Sequence, residues 1–413
     1  MSNFIDLTKE EPSFRNLGIK NAFEIVAKAA EFLGTKKLVK ITSAHTDSCL
    51  YFGESGLMFA KKLSELGAEV AVPTSMNVGS LDLLHPELIQ SKRDTKIKAQ
   101  QLLNYYEGFG CEAIYSCAPY QISNRPEKGD FCAWGESNAI SFINSVLGAK
   151  SNRCGDFMDI CCAIAGYAPY YGLLIDENRK PNIILSLNKI SKSLQNQKIF
   201  YPLLGAVIGR VSQNQIPIVI DHYLKFNEDS LKSLGAAAAS TGDIGLYHID
   251  KVTPEANKYS HLIHQLPVIE ITDEMMLDEW KFLGNGKSGD KIDCIALGSP
   301  HFSYDEFCEV YQLLPNKKFT IPFYICTSRF VYNLLTEQNM LQKFQKCGVT
   351  IVTDTCVVVT PILKNIKGTL MTNSGKFANY SLPNTGYKSV FGSLLDCIKT
   401  AMTGKLVCDD LSL

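Results

Sequence analysis

The chain has 413 residues, 46% of them hydrophobic and 20% charged, and a formal net charge of -1. Such a chain holds roughly two to three domains with sizeable cores, and it carries no basic block or acidic tail that would suit nucleic acid or a membrane surface. The opening Met1-Ser-Asn-Phe-Ile-Asp-Leu lacks the basic-then-apolar pattern of a secretion signal. No apolar run approaches the ~18 residues a membrane helix needs, so a soluble, cytoplasmic protein is expected.

The first quarter alternates helices and strands. Phe23, Val26, Ala30 and Leu33 recur at helical spacing over 21–33, closed by Gly34, and Lys-Leu-Val-Lys-Ile-Thr-Ser over 37–43 reads as a strand. A helix at 54–66, a strand at 69–74, a helix at 94–107 and a strand at 112–116 follow. Residues 176–200 are polar and charged and read as a surface excursion. Later strands are expected at 215–220, 244–249, 292–297, 320–325, 349–353 and 367–372. Helices are expected at 228–239, 303–314, 329–347 (broken) and 388–402. Strands separated by helices imply parallel α/β/α sheets. The chain divides into a first α/β region, 1–210, and a second, 211–405.

In open parallel sheets, ligands bind beyond the carboxyl ends of the strands. The expected tips are Ala44-His45-Thr46-Asp47-Ser48-Cys49, Thr74-Ser-Met-Asn77, Cys117-Ala-Pro-Tyr-Gln121, Gly298-Ser-Pro-His301, Cys326-Thr-Ser-Arg329, Asp354-Thr-Cys356 and Asn373-Ser-Gly-Lys376. Each alone is an ordinary turn. Together they are dense in hydroxyls, amides, thiols and charges. His45 with Asp47 forms a candidate catalytic pair, set against a plain surface turn. Ser328-Arg329 and Ser374-Gly375-Lys376 have the makings of oxyanion sites, against helix capping as the ordinary explanation. Ser137, opening a helix after Glu136, again has an N-terminal cap as its ordinary explanation, and Asn144 to Arg153 puts amides, a hydroxyl and an arginine at the end of that helix. His85, His222, His248, His261 and His264 show no ligand spacing.

Fourteen cysteines is a high number, and none form a Cys-x-x-Cys pair, which disfavours a zinc ribbon or a thioredoxin-like motif. For any single one a buried thiol is the ordinary reading. Cys117, Cys326 and Cys356 nevertheless end strands, and Cys161 and Cys162 begin an apolar helix. A metal site would have to be assembled from positions far apart in sequence.

At these residues the sequence resembles the aconitase X family, from about residue 15 to residue 404. The likeness is carried by Ala44-His-Thr-Asp-Ser-Cys-Leu-Tyr51, Val72-Pro-Thr-Ser-Met-Asn-Val-Gly-Ser-Leu-Asp82, Cys117-Ala-Pro-Tyr-Gln121, Trp134-Gly-Glu-Ser-Asn-Ala139, Asn144-Ser-Val-Leu-Gly-Ala149, Val252-Thr-Pro-Glu-Ala256, Asp354-Thr-Cys356 and Asn373-Ser-Gly-Lys376. The resemblance implies an aconitase-like fold and a hydro-lyase that dehydrates cis-3-hydroxy-L-proline to Δ1-pyrroline-2-carboxylate through the Δ2 isomer. A mevalonate 5-phosphate dehydratase and a non-catalytic protein on the same scaffold are the alternatives. The hydroxyproline reading is favoured by Cys117-Ala-Pro-Tyr-Gln and Gly155-Asp-Phe-Met-Asp-Ile-Cys161, and by Ser299 where the phosphate branch is expected to carry cysteine.

The resemblance also implies an iron–sulfur cluster, [2Fe-2S] in this branch. Its expected ligands are Cys117, Cys161 and Cys356, with Cys326 or Cys162 as substitutes for the third. His45 and Asp47 are the expected catalytic residues. Asn77, Ser137, Arg153, Ser328, Arg329, Ser374 and Lys376 are the expected substrate contacts. The proton-abstracting serine of the superfamily sits on a swivelling domain. The resemblance uses nearly all of this chain, so that domain is expected as a separate small subunit.

Overall fold

The computed structural model describes residues 3–9, 13–364 and 367–407. Residues 1–2 and 10–12 of the first expected region and 365–366 of the second lie outside them. Two units result: Met1–Leu81, Ser91–Lys180 and Thr253–Glu255 form the first, and Asp82–Gln90, Pro181–Val252 and Ala256–Leu413 the second. Position 210/211, where the sequence reading divides the chain, falls inside a helix, Phe200–Ser212.

The first unit runs β1 (Phe4–Asp6), α1 (Leu17–Phe32), β2 (Lys37–Lys40), β3 (Ser43–Thr46), α2 (Glu54–Glu65) and β4 (Thr74–Met76). It continues with α3 (Arg93–Gly108), β5 (Phe131–Trp134), α4 (Ser137–Phe142), β6 (Lys150–Arg153), α5 (Met158–Ala165) and β7 (Tyr167–Pro169). Asn16 caps α1 by accepting from Ile19 N, and Ala22, Phe23, Val26 and Ala30 turn one buried stripe inward. The run expected as one strand over 37–43 is two strands in different sheets. β2 pairs antiparallel with β1 and β7, whereas β3 lies in a parallel sheet of order β4-β3-β5-β6.

Two of that sheet's strands, β5 and β6, escaped the sequence reading. Phe-Cys-Ala-Trp is an apolar run of the minimum strand length, and Lys-Ser-Asn-Arg neither alternates nor forms an apolar run. The expected strand at 112–116 is reduced to a single bridge between Glu112 and Ser75. The one expected at 69–74 starts only at its last residue. The short segment 253–255 joins this unit through Glu255, which is buried against the fully buried Arg179.

The second unit holds two sheets. Its first half comprises β8 (Ile183–Lys189), α6 (Lys192–Gln195), α7 (Phe200–Ser212), β9 (Pro217–Ile220), α8 (Glu228–Gly242), β10 (His248–Ile249), β11 (Val268–Thr272) and α9 (Asp273–Gly284). These strands form a parallel sheet of order β10-β9-β8-β11. The expected surface excursion is therefore corrected: β8 is a central strand whose Ile183, Ile184, Leu185 and Leu187 are buried. Its apolar run is short, and the charged residues on either side hide it. Helices α7 and α8 approach so closely that a Cβ on Gly205 would stand 2.1 Å from the Leu234 carbonyl oxygen, so only glycine fits there.

The second half comprises β12 (Cys294–Phe302), α10 (Tyr304–Leu313), β13 (Phe323–Thr327), α11 (Arg329–Glu337) and α12 (Leu341–Cys347). It ends with β14 (Val349–Val352), β15 (Gly368–Thr372), α13 (Gly375–Thr385), β16 (Tyr387–Phe391) and α14 (Leu394–Thr403). The sheet is parallel, in order β14-β13-β12-β15-β16. Its core packs Ile295, Leu297, Phe323 and Ile325 against Phe307, Phe344 and Ile398. The helix expected at 388–402 is a strand followed by a helix, split at Gly392-Ser393, where Ser393 forms a capping box with Asp396. Among the described residues no helix is long and apolar enough to cross a membrane.

Candidate active site

In the first unit the parallel sheet brings three strand ends together. β3 delivers His45 and Asp47, β4 delivers Asn77, and β5 leads through Gly135 into Glu136. Asn77 Nδ2 donates to Glu136 Oε2 at 3.0 Å and also to Asp47 Oδ1, so one amide bridges two carboxylates. Burial, then the charge of Glu136, pushes the Asp47 carboxyl up to about 8, against the lowering effect of the Asn77 hydrogen bond. At neutral pH Asp47 therefore carries a proton.

His45 is fully buried, 5.3 Å ring to ring from Trp134. Its burial outweighs the attraction of Glu136 and lowers its pKa to about 4, so it is neutral at pH 7. Its Nδ1 lies 2.9 Å from Ser75 Oγ, and that hydroxyl accepts a 2.9 Å bond from Asn124 Nδ2. Among the described residues, His45 Nε2 and Asn77 Oδ1 are buried and have no hydrogen-bond partner.

A carboxylate behind the site fixes it. Asp159, fully buried, accepts from Asp47 N at 2.6 Å, Ser48 N at 3.1 Å, Ser48 Oγ at 2.6 Å and Ile160 N at 2.6 Å. Burial raises its carboxyl to about 6 against those bonds. Gly135 is forced: a Cβ there would lie 2.9 Å from both Asp159 Oδ2 and Asp47 Cβ. Ser137 opens α4, and Glu136 caps that helix by accepting from Asn138 N. Asn138 Nδ2 in turn donates to the Cys117 carbonyl at 2.7 Å. Arg153 ends β6 in register with Trp134. Cys161 lies in α5, where burial and then the charge of Asp159 push its thiol up to about 12, and the thiol of Cys162 is raised as well, by its hydrogen bond with Cys154 and then by burial.

The second unit has its own polar cluster at the tips of β12, β13, β14 and β15. Cys356 follows β14, and its thiol is pulled below the ordinary value. The largest cause is a hydrogen bond with Cys326, and the Val358 backbone, the Lys376 charge and Ser299 add to it against burial. Val357 N donates to Cys326 Sγ at 3.4 Å. These are surroundings that stabilise a thiolate.

The hydroxyls and the arginine expected to meet substrate are largely committed elsewhere. Ser328 caps α11 by accepting from Val331 N at 3.2 Å, and Ser374 caps α13 and donates to the Ser299 carbonyl. Arg329 makes a two-pronged pair with the buried Asp354, at 2.6 and 2.8 Å. Asp354 also accepts from Leu83 N, and neighbouring Thr353 is held by Asp82. Among the described residues, no three His, Cys, Asp or Glu side chains are gathered as a ready metal-ligand set.

Sequence reading missed the bridge through Asn77 to Glu136, the orienting role of Asp159 and the thiol pairing of Cys326 with Cys356. Glu136 had looked like a helix cap, which it also is. Asp159 gives only a weak signal, a lone carboxylate at the start of an apolar helix.

Models of the aconitase X first, second and third domains match residues 6–177, 181–281 and 292–403. The chain is 34% identical to a cis-3-hydroxy-L-proline dehydratase of Hypocrea jecorina, over 93% of this chain and 65% of that protein. It is 33% identical to one of Pseudomonas aeruginosa, over 93% and 67%. It thus spans about two thirds of the length of these two relatives. The phosphomevalonate dehydratase large subunit of Methanocaldococcus jannaschii is 32% identical over 95% of this chain and 99% of its own length. The crystal structure of Thermococcus kodakaraensis aconitase X in its holo-form superposes with a TM-score of 0.83 at 31% identity, covering 93% of this chain and 95% of that one. Family models over all three domains, together with full-length relatives above 30% identity, place this chain in the aconitase X family.

Proposed function

We propose that this chain is the large part of an iron–sulfur hydro-lyase that removes water from cis-3-hydroxy-L-proline. The observation that carries the reading is the group at the β3, β4 and β5 tips. It joins a carboxyl that is protonated at neutral pH, a carboxylate and a neutral imidazole, with two buried polar atoms left without partners. Unpaired buried polar atoms are costly, and their retention fits a ligand that completes them.

In the elimination, the C2 proton leaves to a base, the C2–H electron pair forms the C2=C3 bond, and the 3-hydroxyl departs as water after gaining a proton. The Δ2 product then tautomerises to the Δ1 imine. Asp47 holds the proton that the departing hydroxyl needs, and His45 and Asn77 orient it. Glu136 raises the Asp47 pKa. Ser137, Arg153 and Lys376 remain the proposed substrate contacts, while Ser328, Ser374 and Arg329 support the frame. The C2 base is assigned to a serine of a small partner subunit, a reading supported by the relatives named as large subunits.

Cys326 and Cys356 fit an iron–sulfur cluster, because each sulfur accepts or shares hydrogen bonds that favour a thiolate. We assign these two as ligands. The environment of Cys161 gives a thiolate no such support, and Cys117 is retained from the sequence pattern. When bound, an iron with an open position supplies Lewis acidity toward a leaving hydroxyl.

A phosphomevalonate dehydratase is the second reading. It is favoured by relatives of that name that align over 91–99% of their length. The test is anaerobic purification, iron and sulfide analysis, and a two-substrate assay with and without the small subunit. Iron and labile sulfide lost in Cys356→Ala and Cys326→Ala, with turnover of hydroxyproline alone, supports the proposal. Turnover of the phosphate alone replaces the substrate. Absence of iron and sulfide after reconstitution removes the cofactor.

A further inference from the structure

Asn124 stands in the segment between Gln121 and β5, outside the strand tips that carry the candidate chemistry. The segment is anchored on either side of it. Ser123 Oγ donates to Glu112 Oε2 at 3.0 Å, and Arg125 Nη1 donates to the Tyr120 carbonyl at 3.0 Å. Glu112 is itself the bridge partner of Ser75, so this anchor holds the segment against the outer edge of β4. Asn124 is half-buried there and turns its amide toward the sheet.

The register of the sheet decides what the amide meets. β3 and β4 pair in parallel with His45 opposite Ser75, which puts the two side chains side by side on one face. Asn124 Nδ2 donates to Ser75 Oγ at 2.9 Å, and to the carbonyl of Ala44, the residue before His45, at 2.8 Å. Ser75 Oγ in turn lies 2.9 Å from His45 Nδ1. One amide therefore grips both the β4 hydroxyl and the β3 backbone that carries the imidazole.

A serine hydroxyl has three staggered orientations, one hydrogen and two lone pairs. With a lone pair taken by Asn124, the oxygen is held where its hydrogen or its other lone pair meets Nδ1, whichever nitrogen carries the ring proton. Holding Nδ1 sets the plane of the ring. It thereby aims Nε2, the buried nitrogen that lacks a well-formed hydrogen bond among the described residues. Trp134, packed 5.3 Å away on the β5 side, donates its indole N–H to Ser43 and so offers the imidazole packing only.

We infer that Asn124 is a positioning residue of the hydro-lyase: through Ser75 it sets the orientation of the His45 ring. The inference rests on the role proposed above for His45.

The experiment combines ring-nitrogen NMR of the full chain with turnover in the presence of the small subunit. The His45 signals are those lost in His45→Gln. Asn124→Leu, close in volume and unable to donate, should shift or broaden them. It should lower kcat about tenfold while KM moves less than about twofold. Ser75→Ala cuts the same link and should change the signals likewise. Added to Ser75→Ala, the Asn124 substitution should then do nothing more, because the two residues act in one chain. Asn124→Ala, which adds no bulk, replaces the leucine variant if that does not fold.

Unchanged His45 signals in the Asn124 variants overturn the inference. So does a double variant whose kcat loss is the product of the two single losses, since Asn124 would then act through the Ala44 carbonyl alone. The ring signals are read without turnover. A chain that dehydrates neither substrate therefore counts against the hydro-lyase reading and leaves this test standing.

Discussion

Replacing Arg179 by Met tests how the first unit is held together. Arg179 is fully buried. Its Nε and Nη2 meet Glu255 at 2.9 and 2.7 Å, and its remaining donors reach the carbonyls of Leu173, Asn144 and Ala149 at 3.0, 3.1 and 3.1 Å. The methionine takes the guanidinium away from the buried Glu255 carboxylate and a donor from each of three carbonyls. Breaking a buried pair from one side costs about 3–5 kcal/mol. Against a total stability on the order of 5–15 kcal/mol, that is a large share. In urea, with a slope on the order of 2–3 kcal/mol/M, the midpoint should fall by about 1–2 M. The chain has two tryptophans, so a Trp280→Phe background leaves Trp134, inside the first unit's parallel sheet, as the fluorescent reporter. Removing both charges in Arg179→Met/Glu255→Leu should recover part of the loss, because no buried charge is then stranded. A double variant as unstable as the sum of the two singles, or an Arg179→Met loss below about 1 kcal/mol, would refute the reasoning.

Asp47, raised to about 8 from an ordinary 3.8, binds its proton more tightly folded than unfolded. The contribution of Asp47 to stability should therefore be greatest at low pH and fall as pH rises from about 4 to about 8, by at most about 1.4 kcal/mol per pH unit for this one proton. Urea melts across that range should show the slope, and Asp47→Asn should flatten it. Gly135→Ala drives a methyl against Asp47 and Asp159. It should cut kcat by roughly 10²-fold, the usual consequence of misplacing a reacting group by about 1 Å. Arg329→Lys keeps the charge and loses the two-pronged grip on Asp354. About 1–2 kcal/mol of stability should go, read as a lower midpoint in thermal melts.

The parallel α/β architecture was legible in the sequence because its helices keep clean stripes, as α1 does with Phe23, Val26 and Ala30, and because core strands such as β12 and β13 open on apolar runs, Cys-Ile-Ala-Leu and Phe-Tyr-Ile-Cys. What stayed hidden were strands whose role comes from neighbours. Lys150-Ser-Asn-Arg153 is a strand because β5 offers it an edge, and Ile183–Leu187 is buried although charged residues flank it. The same division holds at the site. His45, Asp47 and Asn77 could be picked out because strand tips are where such residues act. Their link to Glu136 depends on the register that sets His45 beside Trp134, two residues before that carboxylate. The Val252-Thr-Pro-Glu-Ala256 stretch is a further case. It reads as a motif without chemistry, and its glutamate is the buried partner of Arg179.

Residue type at a strand tip therefore marks only a capacity to bind or react. Partner use decides whether the capacity is available. Ser328 and Ser374 have spent their hydroxyl oxygens on helix N–H groups, and Arg329 has met a carboxylate that matches its fork. His45 Nε2 and Asn77 Oδ1 lack a well-formed hydrogen bond among the described residues, although burial makes an unpaired polar atom cost on the order of 1–3 kcal/mol. A fold keeps such a cost where something outside the chain removes it. Asp47 carries a related strain, a carboxyl forced to keep its proton near neutral pH by burial and by Glu136. Unsatisfied donors, acceptors and a displaced pKa converge at one set of strand ends, and that convergence separates the chemistry from the scaffold.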